Sequence, residues 1–498
     1  RKLEAYDLEQ QKTVQVAPGI SDFRMAARGN ALVLRIGNRL RVLPPGVKSE
    51  ALPKGDRPGR ESGWIDLDRV RVEVVPGAEW RQMFREAWRL QRDHFWTPDM
   101  SGLDWQQVHD RYLPLVDRVA TRSEFSDLIW EMQGELGTSH CYELGGDYRP
   151  SPRWMQGHLG ADLELDPQRG RWRIAGIPRG DSWDESRCSP LAAPGVALAP
   201  GDEILAIDGE PVGREVSPYE RLVYKAKQRV ELTVRSAAPA RRRGGRGRRA
   251  APAAERTVIV TTLGSEYGLR YRDWVERNRA RVHAETDGRI GYVHVPNMGP
   301  VGYAEFHRYY MREVLRDGLI IDVRYNGGGH VSQLLLEKLL RRRVGYDETR
   351  WGQPEPYPSD APAGPMVALT NEYAGSDGDI FSHCFKLYGL GPLIGKRTWG
   401  GVVGIWPRHG LIDGTITTQP EFAFWFEDVG WGVENYGTDP DIEVEIRPQD
   451  HAAGSDPQMD RAIREVERLM RRQPPNRPLF GERPRLRPAG LAPRVQDR

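Results

Sequence analysis

The period of the apolar residues changes three times along this chain, which calls for several domains rather than one compact core. Residues 3–45 alternate apolar and polar in the runs KLEAYDL, KTVQV, ALVLRIG and LRVL, broken by Gly, Asn and Pro. That pattern predicts short antiparallel strands, too few for a domain. A Pro-, Gly- and charge-rich stretch from Pro44 to Gly63 reads as a linker. Between 79 and 137 the spacing turns helical, through Trp80, Phe84, Trp88 and Leu90, then Trp105, Val108, Tyr112 and Leu115, then Phe125, Leu128, Ile129 and Met132. From Met155 to Leu263 strand patterns return, separated by turns. Beyond Gly264 strand and helix alternate: RIGYVHV, a helix over 302–315, GLIIDV, a helix over 331–342, MVALT and a helix over 377–388. Strands around 415–426 and an amphipathic helix over 457–469 follow, so this part is expected to be layered α/β. At 100 to 200 residues per domain, 498 residues hold about three domains.

Charge narrows the function classes. Lys and Arg number 72 against 70 Asp and Glu, too balanced for nucleic acid or an anionic membrane to be the main partner. The Arg/Gly/Ala-rich segment Ala237 to Glu255 lacks interleaved aromatics and reads as a solvated loop between two strands. No apolar run approaches the roughly 18 residues of a membrane helix; Leu319 to Val323 is strand-sized. Cys141, Cys188 and Cys384 are an odd number without CxxC spacing, which argues against a disulfide framework or zinc knuckle and for a reducing, cytoplasmic setting. The chain begins at Arg1 without a basic-then-apolar leader, so it is expected to lack a secretory signal and to allow further chain before it. The tail from Gln473 is Pro/Arg-rich and expected to be loose.

Strand MVALT runs into NEYAGSDGD, which puts Ser376 at a strand-to-helix turn, where a helix dipole and free backbone N–H groups favour developing negative charge. Alanine at 374 breaks the strict G-x-S-x-G pattern, and a helix-capping serine is the competing reading. GLIIDVRYNGGGH carries a buried strand into Gly327, Gly328 and Gly329, suited to an oxyanion hole or to a plain flexible loop. A phosphate loop is disfavoured because no Gly-Lys-Ser/Thr follows. Among eleven histidines, His140 in GTSHCYE has the neighbourhood of a general base, with Ser139 beside it. His330 borders the glycines and is a rival; His383, about two helical turns beyond Ser376, is expected to point away.

Taken together and in order, GTSHCYELGGDY, DVRYNGGGHVSQL, TNEYAGSDGDIFSH, GKRTWGGVVGI, LIDGT, TQPEFAFWF and GVENYGTDPDIEV resemble the C-terminal half of the tricorn proteases over roughly residues 70 to 470. These are self-compartmentalising serine peptidases related to the C-terminal processing peptidases. The resemblance implies a multidomain α+β and α/β fold. Its parts are strands like the end of a β-propeller plus linker (1–60), a helical C1 subdomain (61–154), a PDZ-like domain (155–263), a crotonase-like α/β C2 core (264–472) and a tail (473–498). It also implies Ser376 as nucleophile, His140 as general base and acid, and Ser139 and Glu434 as residues that orient and stabilise the base. Backbone N–H groups of Gly329 and Asp377 would form the oxyanion hole. Gly328 would border the substrate, and Asp347 would favour Lys or Arg before the scissile bond, against the reading of a surface aspartate beside an Arg cluster.

In the related processing peptidases a catalytic lysine follows the T-[FW]-G element; this chain has Gly401 there, and Lys396 is expected on the surface, so a Ser-Lys dyad is disfavoured. His158, Leu159, Gly160 and Ala161 resemble the carboxylate-binding turn of a PDZ domain, for which packing is favoured over peptide capture. The resemblance implies short unfolded peptides as substrates, such as products of an ATP-dependent protease, no metal or cofactor, and a homo-oligomer, a hexamer in the family. A non-catalytic peptide-binding scaffold is the alternative.

Overall fold

The computed structural model describes residues 1–48, 51–52, 55–149, 151–237, 255–475, 478 and 480–483. The chain divides into two units, Arg1–Gln82 and Met83–Arg498.

In the first unit, β1 (Lys2–Asp7) and β2 (Lys12–Pro18) form an antiparallel ribbon, and β3 (Asp22–Met25), β4 (Leu32–Ile36) and β5 (Arg39–Leu43) an antiparallel sheet. Both contribute to one small core of Val16, Ala17, Ile20, Leu32, Leu34 and Leu43. The far end of the expected linker is ordered against β5: Val42 N–H donates to Gly63 C=O, Ile65 N–H to Leu40 C=O, and the Arg39 guanidinium lies 3.8 Å over the Trp64 ring. The reason is the buried Trp64, a single large apolar group just past the window that composition marks as a linker.

Helix α1 (Pro76–His94) runs across the boundary at Met83, and α2 (Trp105–Val116) and α3 (Arg122–Gly134) follow it in the second unit. Trp88 and Trp105 exchange indole N–H bonds with each other's backbone carbonyls at 2.8 and 3.0 Å, which locks α1 to the start of α2. Thr121 and Glu124 close a capping box on α3.

An antiparallel sheet follows, ordered β10-β9-β8-β7-β6 from β6 (Asp162–Asp166), β7 (Arg171–Gly176), β8 (Glu203–Ile207), β9 (Arg229–Arg235) and β10 (Glu255–Thr261). In β9 Val230, Leu232 and Val234 are buried and alternate with exposed or half-buried residues, the period-two pattern of a sheet with one buried face. The arginines 241–249 lie outside the described residues, as does most of the tail beyond 475.

The last part is built on a five-stranded parallel sheet, β11 (Ile290–His294), β12 (Gly318–Asp322), β15 (Met366–Thr370), β16 (Leu393–Gly395) and β17 (Ile442–Glu443), in that spatial order. β13 (Gly345–Asp347) and β14 (Glu355–Tyr357) form a separate ribbon. β11, β12 and β15 are buried throughout, which is why they read as unbroken apolar runs. Helices α4 (Tyr267–Glu285) and α5 (Pro300–Glu313) pack on β11, α8 (Pro457–Arg472) on β12 and β15, and α7 (Asp377–Leu387) on β15 and β16; α6 (Ser332–Leu339) packs on α7.

Helix α4 is absent from the sequence reading. Its buried face holds Leu269, Val275 and Val282, but a fourth member is Arg272, 1% exposed, bound to Glu305, Tyr309 and Asp181. An arginine completing an apolar stripe erases the helical period.

A buried ion-pair relay ties the final helix to the sheet. Asp322 at the end of β12 accepts from Arg324 Nη2 at 2.7 Å and from the Tyr292 hydroxyl at 2.9 Å, and Arg324 Nη1 reaches Asp456, the N-cap of α8, at 2.9 Å. Burial alone would raise the Asp322 pKa; the adjoining guanidinium more than reverses this and holds the carboxylate ionised below its usual range. Replacing Asp322 with alanine would leave Arg324, 2% exposed, without its nearest counter-charge. The expected cost is about 3–5 kcal/mol, read as a lower denaturant midpoint.

Candidate active site

β12 and β15 are adjacent and parallel, so the loops leaving their carboxyl ends meet. The first loop carries Gly327 to Gly329, the second Ser376. Ser376 has φ +57° and ψ −122°, a conformation that costs a non-glycine residue free energy and lifts its hydroxyl out of the turn. Asn326, fully buried, holds the two loops in register: its carbonyl oxygen accepts Gly328 N–H at 2.9 Å, its amide donates to Val295 C=O, and its backbone C=O accepts Gly375 N–H. At Gly328, φ +79°, a Cβ would sit 2.5 Å from the Ser376 Cβ. Only glycine allows that approach.

The N–H groups of Gly329 and Asp377 have no acceptor among the described residues. The Asp377 carboxylate is turned away to the Ser332 hydroxyl and N–H, so the residue offers its backbone donor, at the N-terminus of α7, to the cleft.

His140 reaches Ser376 from the segment after α3, with φ +62° and only 8% exposed. Its Nε2 is 3.2 Å from Ser376 Oγ and its Nδ1 2.7 Å from Ser139 Oγ. Ser139 Oγ also lies 3.2 Å from Glu434 Oε2 and Ser139 N–H donates to Oε1 at 2.7 Å. An ionised glutamate can only accept, so the Ser139 hydroxyl donates to it and must accept Nδ1–H; Nε2 is left with its lone pair toward Ser376. Val402 and Val403 N–H donate to Glu434 Oε2 at 2.7 and 3.0 Å, which fixes the carboxylate. Burial lowers the His140 pKa below its ordinary 6.5, and the Glu434 charge opposes the shift in part. The Trp399 ring meets the imidazole edge-on at 5.4 Å.

Ser376, His140, Gly329 and Asp377 open onto a cleft of about 850 Å³ walled by Leu336, Ile380, Cys384, Tyr388, Val402 and Trp406, among others. Cys384 is no rival nucleophile, because burial pushes its thiol up to about 11. A larger cleft, about 1390 Å³, is lined by an arginine–carboxylate network from α4 and α5 and by β10, and holds none of the candidate residues.

Asp347 ends β13 as an exposed residue and does not line the Ser376 cleft. Glu337, on α6, is the carboxylate that does so beside Asp377. His330 lines the cleft and stacks on Trp406, while His383 is engaged by Asp428 at 3.0 Å and Thr438 at 3.2 Å. Lys396 pairs with Glu443 and Glu445, each at 2.7 Å. At Gly401 a Cβ would lie 2.3 Å from the Trp399 ring, so no lysine fits there as the indole stands. Among the described residues no cluster of three or more His, Cys, Asp or Glu could hold a metal. Asn326 and Trp399 escaped the sequence reading; the only signal for Asn326 was its place directly before the glycine run.

Comparison with known proteins matches residues 76–134 to the Tricorn protease C1 domain, 157–244 to the Tricorn protease PDZ domain and 289–444 to peptidase family S41. The chain is 48% identical to Tricorn protease homolog 1 of Streptomyces coelicolor over 93% of its length and 42% of that protein. It is 41% identical to the Tricorn protease of Thermoplasma acidophilum over 92% of this chain and 40% of that one. The crystal structure of the tricorn protease superposes with a TM-score of 0.82 at 40% identity, covering 94% of this chain and 43% of that chain. The chain therefore spans less than half the length of these relatives. Three modules in one order, matched by relatives along nearly all of its residues, make this chain a member of the tricorn protease family.

Proposed function

We propose that the chain is a serine endopeptidase of tricorn type that cleaves short unfolded peptides through an acyl-enzyme. The observation that carries this is the single file of Ser376, His140, Ser139 and Glu434, beside two N–H groups with no acceptor among the described residues. His140 Nε2 takes the Ser376 proton as Oγ attacks the peptide carbonyl, and the imidazolium that forms is stabilised through Ser139 by Glu434. The oxyanion gains Gly329 and Asp377 N–H, which have no acceptor among the described residues. His140 then protonates the leaving amine, and water, deprotonated by the same imidazole, hydrolyses the ester. Gly328, where a Cβ would lie 2.5 Å from that of Ser376, is assigned to border the substrate backbone. The scaffold alternative is not favoured, because this set of groups is complete.

Asp347 is assigned the preference for Lys or Arg before the scissile bond. Since it does not line its own chain's cleft, its contribution requires a homo-oligomer that brings it to one. Peptides supplied by an ATP-dependent protease, a cytoplasmic setting, a crotonase-like core, and a propeller end for β1 to β5 complete this reading. The PDZ-like module is assigned a packing role: Gly160 N–H, in the turn that would receive a terminal carboxylate, already donates to the Glu266 carboxylate at 2.7 Å. Arg270 holds that carboxylate at 2.6 Å and Asp162 at 2.7 Å.

Fluorogenic peptides with Arg, Phe or Asp before the scissile bond should be hydrolysed with Arg preferred, and Ser376→Ala should remove about six orders of magnitude in kcat. An assembled oligomer, its mass read by light scattering, that cleaves nothing would overturn the peptidase reading. The acid limb of activity should fall below pH 6.5, because only the neutral imidazole accepts the proton. In Glu434→Gln the limb should move to lower pH, since the charge that raises the His140 pKa is gone, while kcat drops on the order of a hundredfold; an unmoved limb would exclude Glu434 from the relay. Peptides ending in an apolar residue and a free carboxylate should bind Glu266→Ala and not the parent in calorimetry; binding to the parent would contradict the packing role.

A further inference from the structure

Asp379 is fully buried one helical turn beyond the nucleophile, and no step above uses it. A carboxylate without a counter-charge in such a place is costly, so its partners carry information. Its Oδ1 accepts Gly400 N–H at 2.8 Å, and its Oδ2 has no hydrogen-bond partner among the described residues. Gly400 C=O in turn accepts Asn435 N–H at 2.7 Å, and the Asn435 side chain donates to Gly137 C=O at 2.7 Å. One file of bonds thus runs from the nucleophile helix through Gly400 to the residue after Glu434, and on to the segment that carries Ser139 and His140. The loop it grips, 398–403, also supplies the Val402 and Val403 donors to Glu434 and the Trp399 ring against His140. Gly400 itself has no slack: at φ +89° a Cβ would come within 2.6 Å of Gly437 N.

We propose that Asp379 is a positioning residue for the Ser376–His140 pair: its buried carboxylate anchors loop 398–403 and through it sets Trp399 and Glu434 against the base. The proposal rests on the peptidase reading above. Burial pushes the Asp379 carboxyl up to about 6, against the Thr398 hydroxyl and the N–H groups of Gly400, Gly401 and Ser376, which favour the charged form. The carboxyl therefore gains its proton as the pH falls through about 6, and its hold on Gly400 N–H changes from a charge-assisted to a weaker neutral hydrogen bond. Ionisable groups on the surrounding elements are otherwise engaged. Asp377 is bound by Ser332, His383 by Asp428 and Thr438, His140 and Glu434 by Ser139, and Arg397 lies over Tyr436. None forms an ion pair with Asp379 among the described residues.

The test measures the rate at which a fluorophosphonate labels Ser376, and kcat and KM on the Arg peptide, from pH 5 to 9 in the full chain. The parent should show two ionisations in its acid limb. Asp379→Asn should lose on the order of ten- to a hundredfold in kcat at pH 8 with KM within about twofold, and should keep one ionisation, that of His140. Thr398→Val, which keeps the charge and removes a hydroxyl that favours it, should move the second ionisation to higher pH; this variant decides the matter if Asp379→Asn does not fold. An Asp379→Asn enzyme with the parent's kcat and profile, or a parent limb of one ionisation indifferent to Thr398→Val, would overturn the role of Asp379. A folded parent that neither reacts with the probe nor cleaves the peptide would instead sink the peptidase reading, so the two failures are distinguishable.

Discussion

One carboxylate organises the site. Glu434 accepts from Ser139 N–H and hydroxyl and from the N–H groups of Val402 and Val403, drawing on segments that lie far before it and shortly before it in sequence. Because it can only accept, it dictates the direction of every proton behind it: the Ser139 hydroxyl points to it, Nδ1–H of His140 points to Ser139, and Nε2 faces Ser376 unprotonated. A neutral group at this position would satisfy some of the same neighbours and leave the tautomer undetermined. The strained backbone of His140 and Ser376, both at positive φ, makes sense only beside such a fixed reference, since strain persists where surrounding bonds over-determine it.

Much of this was legible in the sequence, and the reasons are physical. β12 and β15 are buried on both sides and read as apolar runs, and each ends in residues that suit a turn, Gly327 to Gly329 and Ala374 to Gly378. The helices after Gly299, Val331, Ser376 and Asp456 lie where the apolar spacing put them, to within a few residues. His140 stood out as a base candidate by its neighbourhood, whereas the roles expected of Ser139 and Glu434 came from the resemblance, since nothing in local spacing says that residues 295 positions apart touch.

The rest was hidden for equally definite reasons. Helix α4 buries an arginine where the period calls for an apolar residue. Asp379 stands in the first turn of a helix, where an exposed acid complementing the dipole is the ordinary finding, and only the packed structure shows it sealed from water. The bond from Gly160 N–H to Glu266 joins residues on either side of the whole sheet in sequence, and the absence of Asp347 from the lining of the Ser376 cleft is a matter of where a ribbon projects.

The contact between Gly401 and the Trp399 ring bears on how such sites change over evolutionary time. Where the related processing peptidases carry a lysine, this chain has no room for even a methyl group unless the indole moves, and the indole edge supports His140. A one-step exchange of Gly401 for lysine would displace the ring that packs on His140. A lysine at 401 is therefore reached only together with a change at Trp399, a coupled exchange of at least two residues.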